Sequence, residues 1–134
     1  MRGAWLALPA LALVACAPAG PTGGGGLRTV EVEMHFSSFD PSRIVVAPGG
    51  TVRFVLTNTD PIDHEFILGD LQVQRIHERG TEAHHGIKPG EVTVPAGKTV
   101  ETTVTFTSEP GRLLFGCHSP GHWDYGMRGV VVTG

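Results

Sequence analysis

The chain has 134 residues, among them 19 glycines and 10 prolines, with 17% charged residues and a formal net charge of −3. That length suits one globular domain rather than two, and the mildly acidic balance argues against a nucleic-acid partner. Abundant Val and Thr, punctuated by Gly and Pro, favour short strands joined by turns over a helical fold.

Residues 1–15 read as an export leader. Arg2 supplies the positive start, and the apolar run from Ala4 to Ala15 is too short to span a bilayer. The run closes with Leu13-Val14-Ala15-Cys16, which resembles the box where a bacterial lipoprotein is cut before a cysteine that then receives lipid. Residues 1–15 are therefore expected to be a lipoprotein signal peptide and Cys16 to be lipidated; an ordinary leader cut nearby is the alternative. Residues 16–26, dominated by APAGPTGGGG, show no apolar periodicity and read as a flexible tether. The expected product is a domain over 27–134 held at a membrane in the cell envelope, on the periplasmic or extracytoplasmic side. Losing Arg2 takes the net charge to −4. With Cys16 lipidated, Cys117 is the one free thiol of the mature domain, so metal or redox chemistry is expected there rather than a disulfide.

From Arg28 a period of two begins. Val30, Val32, Met34 and Phe36 fall on one face and Glu31, Glu33 and His35 on the other, which predicts a half-buried strand with Met34 in the core and His35 in solvent. Phe39-Asp40-Pro41 turns the chain, Arg43 to Ala47 gives a second strand, and Pro48-Gly49-Gly50 a tight turn. Thr51 to Asn58 alternates Val52, Phe54 and Leu56 against Thr51, Arg53, Val55 and Thr57. A turn-rich link from Asn58 to Asp63 leads into His64 and a short strand to Leu68.

Gly69 to Gly97 is less regular. Leu71, Val73 and Ile76, with Gln72, Gln74, Glu78 and Arg79, predict one or two helical turns. A connection of about thirty residues is too long to be structureless inside a small domain. Thr99 to Phe106 alternates again, Leu113 to Gly116 is a strand leading to Cys117, and Gly129 to Thr133 forms the last strand. About seven strands spaced by Gly and Pro turns predict an all-β Greek-key sandwich or barrel, with one long loop excursion containing a short helix.

The chemistry is concentrated in Cys117-His118-Ser119-Pro120-Gly121-His122-Trp123-Asp124-Tyr125-Gly126-Met127. A thiolate, an imidazole and a thioether at this spacing lack only a second imidazole to complete a trigonal His₂Cys site with a long axial Met, the donor set of blue copper. His64, in Asp63-His64-Glu65-Phe66, is the candidate for the missing ligand. The expected metal set is thus His64, Cys117, His122 and Met127, holding one type 1 copper.

Cys117-x4-His122-x4-Met127 resembles the ligand loop of the cupredoxins, with the spacing of rusticyanin and close to that of azurin and plastocyanin; the resemblance runs from about Leu27 to Gly134. The segment Val52–Asn58 before His64-Glu65-Phe66, and Pro120-Gly121-His122 after the cysteine, are similar to small periplasmic cupredoxins linked to copper tolerance. The resemblance implies ligands brought from separate parts of a rigid barrel, an electron exit at His122, and a monomer. It also implies a redox partner protein such as a cytochrome or oxidase. Glu65 stands where many cupredoxins have Asn or Ser, so a carboxylate beside the copper ligands is expected; His118 is a second candidate for that outer position. Trp123 and Tyr125 either border an apolar docking patch or simply pack the loop. His77, His84 and His85 read as a solvated loop or as an auxiliary copper site for capture or loading.

The expected function is single-electron transfer by a membrane-tethered carrier; the alternative is a protein that holds copper for tolerance without a dedicated redox partner. An enzyme is not expected. Cys117-His118-x3-His122 also resembles the last ligand segment of multicopper oxidases, but Gly116 replaces the first of their histidines and no His-x-His pair occurs. A binuclear copper centre of the CuA type would need a second cysteine in the loop, and there is none.

Overall fold

The computed structural model describes residues 26–80 and 88–134. The leader, Cys16, His84 and His85 lie outside the described residues.

β1 (Leu27–His35) alternates as its sequence predicts, burying Val30, Val32 and Met34 and exposing Glu31, Glu33 and His35. Phe36 departs from that face. The strand ends before it, Phe36 and Ser37 take left-handed φ angles of 49° and 52°, and the Phe36 residue is 82% exposed. β2 (Ser38–Asp40) then folds back antiparallel on β1, so that Phe39 enters the core instead.

The order continues with β3 (Arg43–Val46), β4 (Thr51–Asn58), β5 (His64–Gly69), α1 (Leu71–Glu78) and β6 (Glu91–Val94). It closes with β7 (Thr99–Thr105), β8 (Gly111–Gly116) and β9 (Arg128–Thr133). The nine strands among the described residues exceed the predicted number because β2 falls in a stretch read from sequence as a turn and β6 in the less regular stretch from Gly69 to Gly97. With three and four residues they are too short to display a period.

Two sheets face each other, ordered β2-β1-β4-β7 and β3-β9-β8-β5-β6. The β1–β4 and β3–β9 pairs are parallel and the other pairs antiparallel. The fold is an all-β, cupredoxin-like sandwich. Between the sheets, Phe66 contacts Phe54 and Phe115 with ring centroids 5.3 and 5.2 Å apart, and Phe39 meets Phe115 edge-on at 5.2 Å. Such pairs contribute roughly 0.5–1.5 kcal/mol each beyond the area they bury. This aromatic layer runs up to Cys117 and Met127, both fully buried in the same cluster.

The helix forms where expected, rotated so that polar rather than apolar residues face the sheet. Asp70 caps it, its Oδ1 accepting from the amides of Gln72 and Val73 at 2.8 and 2.9 Å. Leu71 is 57% and Ile76 38% exposed, while Gln74 and His77 are buried. Gln74 explains the rotation: its Nε2 donates to the carbonyls of Ile67 and Leu114 at 3.0 and 3.1 Å, clamping α1 onto β5 and β8. No helix among the described residues is long and apolar enough to cross a membrane.

Candidate metal centre

His64 opens β5, where its register partner on β6 is Val94. The link before it is fixed by Asn58, buried at the end of β4. The Asn58 amide donates to the carbonyls of Ile62 and Val94 at 2.8 and 2.9 Å, and its oxygen accepts from the Asp60 amide at 2.9 Å. His64 is fully buried, and its Nε2 lies 2.8 Å from Asp60 Oδ2.

Cys117 follows β8. Antiparallel pairing of β8 with β9 continues into the loop, the Cys117 amide donating to the Met127 carbonyl at 3.1 Å. The loop between them is closed by its own backbone: His122 N to Ser119 O at 2.9 Å, Tyr125 N to Gly121 O at 3.0 Å and Met127 N to His122 O at 2.9 Å. Gly121, with φ of 83°, supplies the left-handed residue the turn requires.

These two constructions bring one donor atom each from His64, Cys117 and His122 within 4.8 Å of one another, the one group of this kind among the described residues. The sulfur lies 3.9 Å from His64 Nδ1 and 3.3 Å from His122 Nδ1. It also accepts the backbone N–H of Glu65 at 3.3 Å. Burial pushes the Cys117 thiol up, while hydrogen bonds from Ser119 and the Glu65 amide pull it the other way. His122 is half-buried. Burial holds its imidazole below the ordinary value, and His64 beside it acts in the same direction, so the ring is neutral and free to ligate at neutral pH. One thiolate and two imidazoles, with a buried thioether on the strand-proximal end of the loop, is the soft mixed set that suits copper in both oxidation states.

Residues 28–134 match the family of copper-binding proteins of the plastocyanin/azurin type. The chain belongs to that family. Its cofactor is copper, and the donor set described above fits one type 1 ion. Among relatives, this cupredoxin is 41% identical over 110 residues to the copper-resistant cuproprotein CopI of Rubrivivax gelatinosus, covering 79% of this chain and 66% of that protein. It is 33% identical over 138 residues to the CopI of Pseudomonas aeruginosa, covering 79% of this chain and 76% of the relative. Among solved structures, auracyanin A, a blue copper protein from Chloroflexus aurantiacus, superposes with a TM-score of 0.66 at 25% identity over 81% of this chain and 100% of its own.

Around the centre, the cupredoxin places Glu65 and His118 side by side. Glu65 Oε2 accepts the His118 amide at 3.1 Å, so this carboxylate braces the ligand loop. The His118 ring is not part of the His64, Cys117 and His122 cluster. Its Nε2 meets Gln74 Oε1 at 2.8 Å and its face stacks on Trp123, with centroids 4.9 Å apart and planes at 15°. Burial lowers its pKa, and the nearby His77 lowers it further. Arg128 covers the indole, its guanidinium carbon 5.4 Å from the ring centroid. Trp123 therefore packs the loop, whereas Tyr125 is 90% exposed.

His77 is not on a solvated loop. It is buried on α1, its Nδ1 2.9 Å from the Val73 carbonyl and its Nε2 3.5 Å from Glu91 Oε2. Asp60, Gln74 and Ser119 were the residues that sequence reasoning missed. Asp60 stands four residues before His64 in a stretch whose turn chemistry already accounts for an aspartate; Gln74 is one polar residue among several in a short helix, and its sequence carries no sign of burial.

Proposed function

We propose that this cupredoxin holds a single copper ion through His64, Cys117, His122 and Met127, and that the site serves copper tolerance in the cell envelope. The observation that carries the ligand assignment is the convergence of a thiol and two imidazole nitrogens from β5 and the β8–β9 loop within 4.8 Å. A copper ion held there would supply one-electron exchange between its two oxidation states. The chain's contribution is to fix the donors in advance on β5 and the adjoining β8–β9 loop, and to keep water from the buried Cys117. Tolerance is supported by the relatives, both named as copper-resistant cuproproteins and matched over 79% of this chain.

The experiment is expression in a copper-sensitive strain. Wild-type protein should raise the copper concentration the cells survive, and Cys117→Ser should not. Equal protection by both would sink the proposed use of this site.

A second reading, electron carriage to a cytochrome or oxidase, is favoured by one feature: His122 is half-buried beside the exposed Tyr125, which leaves a ring edge within reach of a partner. Rapid reduction and reoxidation of the copper protein by such a partner would support it; slow exchange would leave tolerance as the role. Oxidase activity is not part of the proposal, because Gly116 stands where those enzymes carry a histidine and the side chain of His118 is committed to Gln74 and Trp123. The protein is proposed to act as a monomer outside the cytoplasm, tethered by lipid on Cys16. Cys16→Ser should move it from the membrane to the soluble fraction of the envelope.

A further inference from the structure

We propose that Asp60 is the positioning residue of the copper centre: its carboxylate fixes His64 in the tautomer that ligates and favours the oxidised ion over the reduced one. The inference rests on the assignment of His64 as a copper ligand. It adds a residue outside the ligand set and a direction for its effect.

The geometry is specific. Asp60 Oδ2 lies 2.8 Å from His64 Nε2 and accepts the Ser37 amide at 2.8 Å, while Oδ1 accepts the Phe36 amide at 2.7 Å. An ionised carboxylate only accepts, so Nε2 must carry the proton in its contact. That makes Nδ1 the nitrogen available to a metal, and Nδ1 is the one that faces Cys117 Sγ. His64 is fully buried, so water cannot supply the same bond. The carboxylate is itself held: its backbone amide is tied to Asn58 Oδ1 at 2.9 Å, and it is 7% exposed.

The same carboxylate explains the turn after β1. Phe36 and Ser37 adopt a left-handed backbone that residues other than glycine seldom take. In that conformation their two successive N–H groups converge on Asp60. The unusual turn and the copper ligand thus share one acceptor, on the opposite side of His64 from the metal donors. His35 stands nearby, its Nδ1 3.8 Å from Oδ1, but it is exposed and bonded to Thr59.

An imidazole that donates to a carboxylate is a stronger base toward a metal, and the nearby negative charge favours the higher oxidation state. Loss of such a partner typically lowers metal affinity about 10–100-fold. If the loss falls on Cu(II) rather than Cu(I), each tenfold difference raises the one-electron potential by about 59 mV.

Two measurements test this. In the copper-free wild-type protein, nitrogen-resolved NMR of His64 should show a proton on Nε2 that is hydrogen-bonded to Asp60; a bare Nε2 would overturn the proposal without any variant having to fold. In Asp60→Asn, which keeps the shape but removes the charge, Cu(II) affinity should fall more than Cu(I) affinity and the potential should rise. Unchanged affinities, or equal losses for both ions, would also overturn it. Failure of the ligand assignment looks different: His64→Ala would then keep the full thiolate colour, whatever Asp60 does.

Discussion

The backbone nitrogen of Glu65 lies 3.3 Å from the sulfur of Cys117, across 52 residues of sequence. The contact joins β5, which carries His64, to the loop that carries Cys117, His122 and Met127. Its donor is a main-chain N–H on a strand paired on both sides, with β6 and with β8, so it has little freedom to move away. A sulfur held by such a group changes its surroundings little when the charge beside it changes. Positions of the metal donors are thus set by the sheet, with the loop's own hydrogen bonds completing them.

The axial assignment predicts a separation of colour from potential. Met127 is fully buried and bonded to Cys117 only through its backbone. Met127→Leu conserves volume, so the stability loss should stay under about 1.5 kcal/mol. The thiolate band should persist and the reduction potential, read by voltammetry, should rise. Loss of the band would show that the thioether is needed to hold the copper at all.

Packing beneath the loop predicts a costly glycine substitution. A Cβ on Gly116 would run into the six-membered ring of Trp123 and approach the Met127 carbonyl at 3.4 Å. Gly116→Ala should therefore push the indole off His118 and destabilise the protein by about 1–3 kcal/mol, measured by denaturant unfolding. An unchanged midpoint would mean that Trp123 does not occupy this position.

Much of this was legible beforehand. The strands with clear alternation, β1, β4 and β7, lie where Val30–Val32–Met34, Val52–Phe54–Leu56 and Thr102–Val104–Phe106 placed them, because one buried face imposes a period of two. The convergence of His64, Cys117 and His122 was legible because few other uses require Cys and His at such spacing before a Met. What escaped depends on contacts distant in sequence. Phe36 continues the β1 alternation, yet the pull of Asp60 on its amide ends the strand first. Gln74 is buried in place of Leu71 and Ile76 because two strand carbonyls and His118 need its amide, and helical periodicity does not register such a demand. His77 belongs to that same buried polar layer.

Acid should weaken the copper-free protein through Asp60. Burial pushes this carboxyl up, but the amides of Ser37 and Phe36 and the His64 side chain outweigh it and hold the pKa below the ordinary value of 3.8. A depressed carboxylate stabilises the fold above its unfolded-state pKa, and that contribution is lost as pH falls through the folded value. Thermal unfolding of the wild type should therefore shift downward below about pH 4. Asp60→Asn should be less stable at neutral pH and lack this part of the acid dependence. Parallel curves for the two proteins would contradict the prediction.

The most direct measurement is a Cu(II) titration of the tag-free, leader-free protein followed by its visible spectrum, with Cys117→Ser beside it. The account predicts an intense blue or green thiolate band that saturates at one copper per chain and is absent from the variant. A colourless wild-type protein that retains copper elsewhere would contradict it.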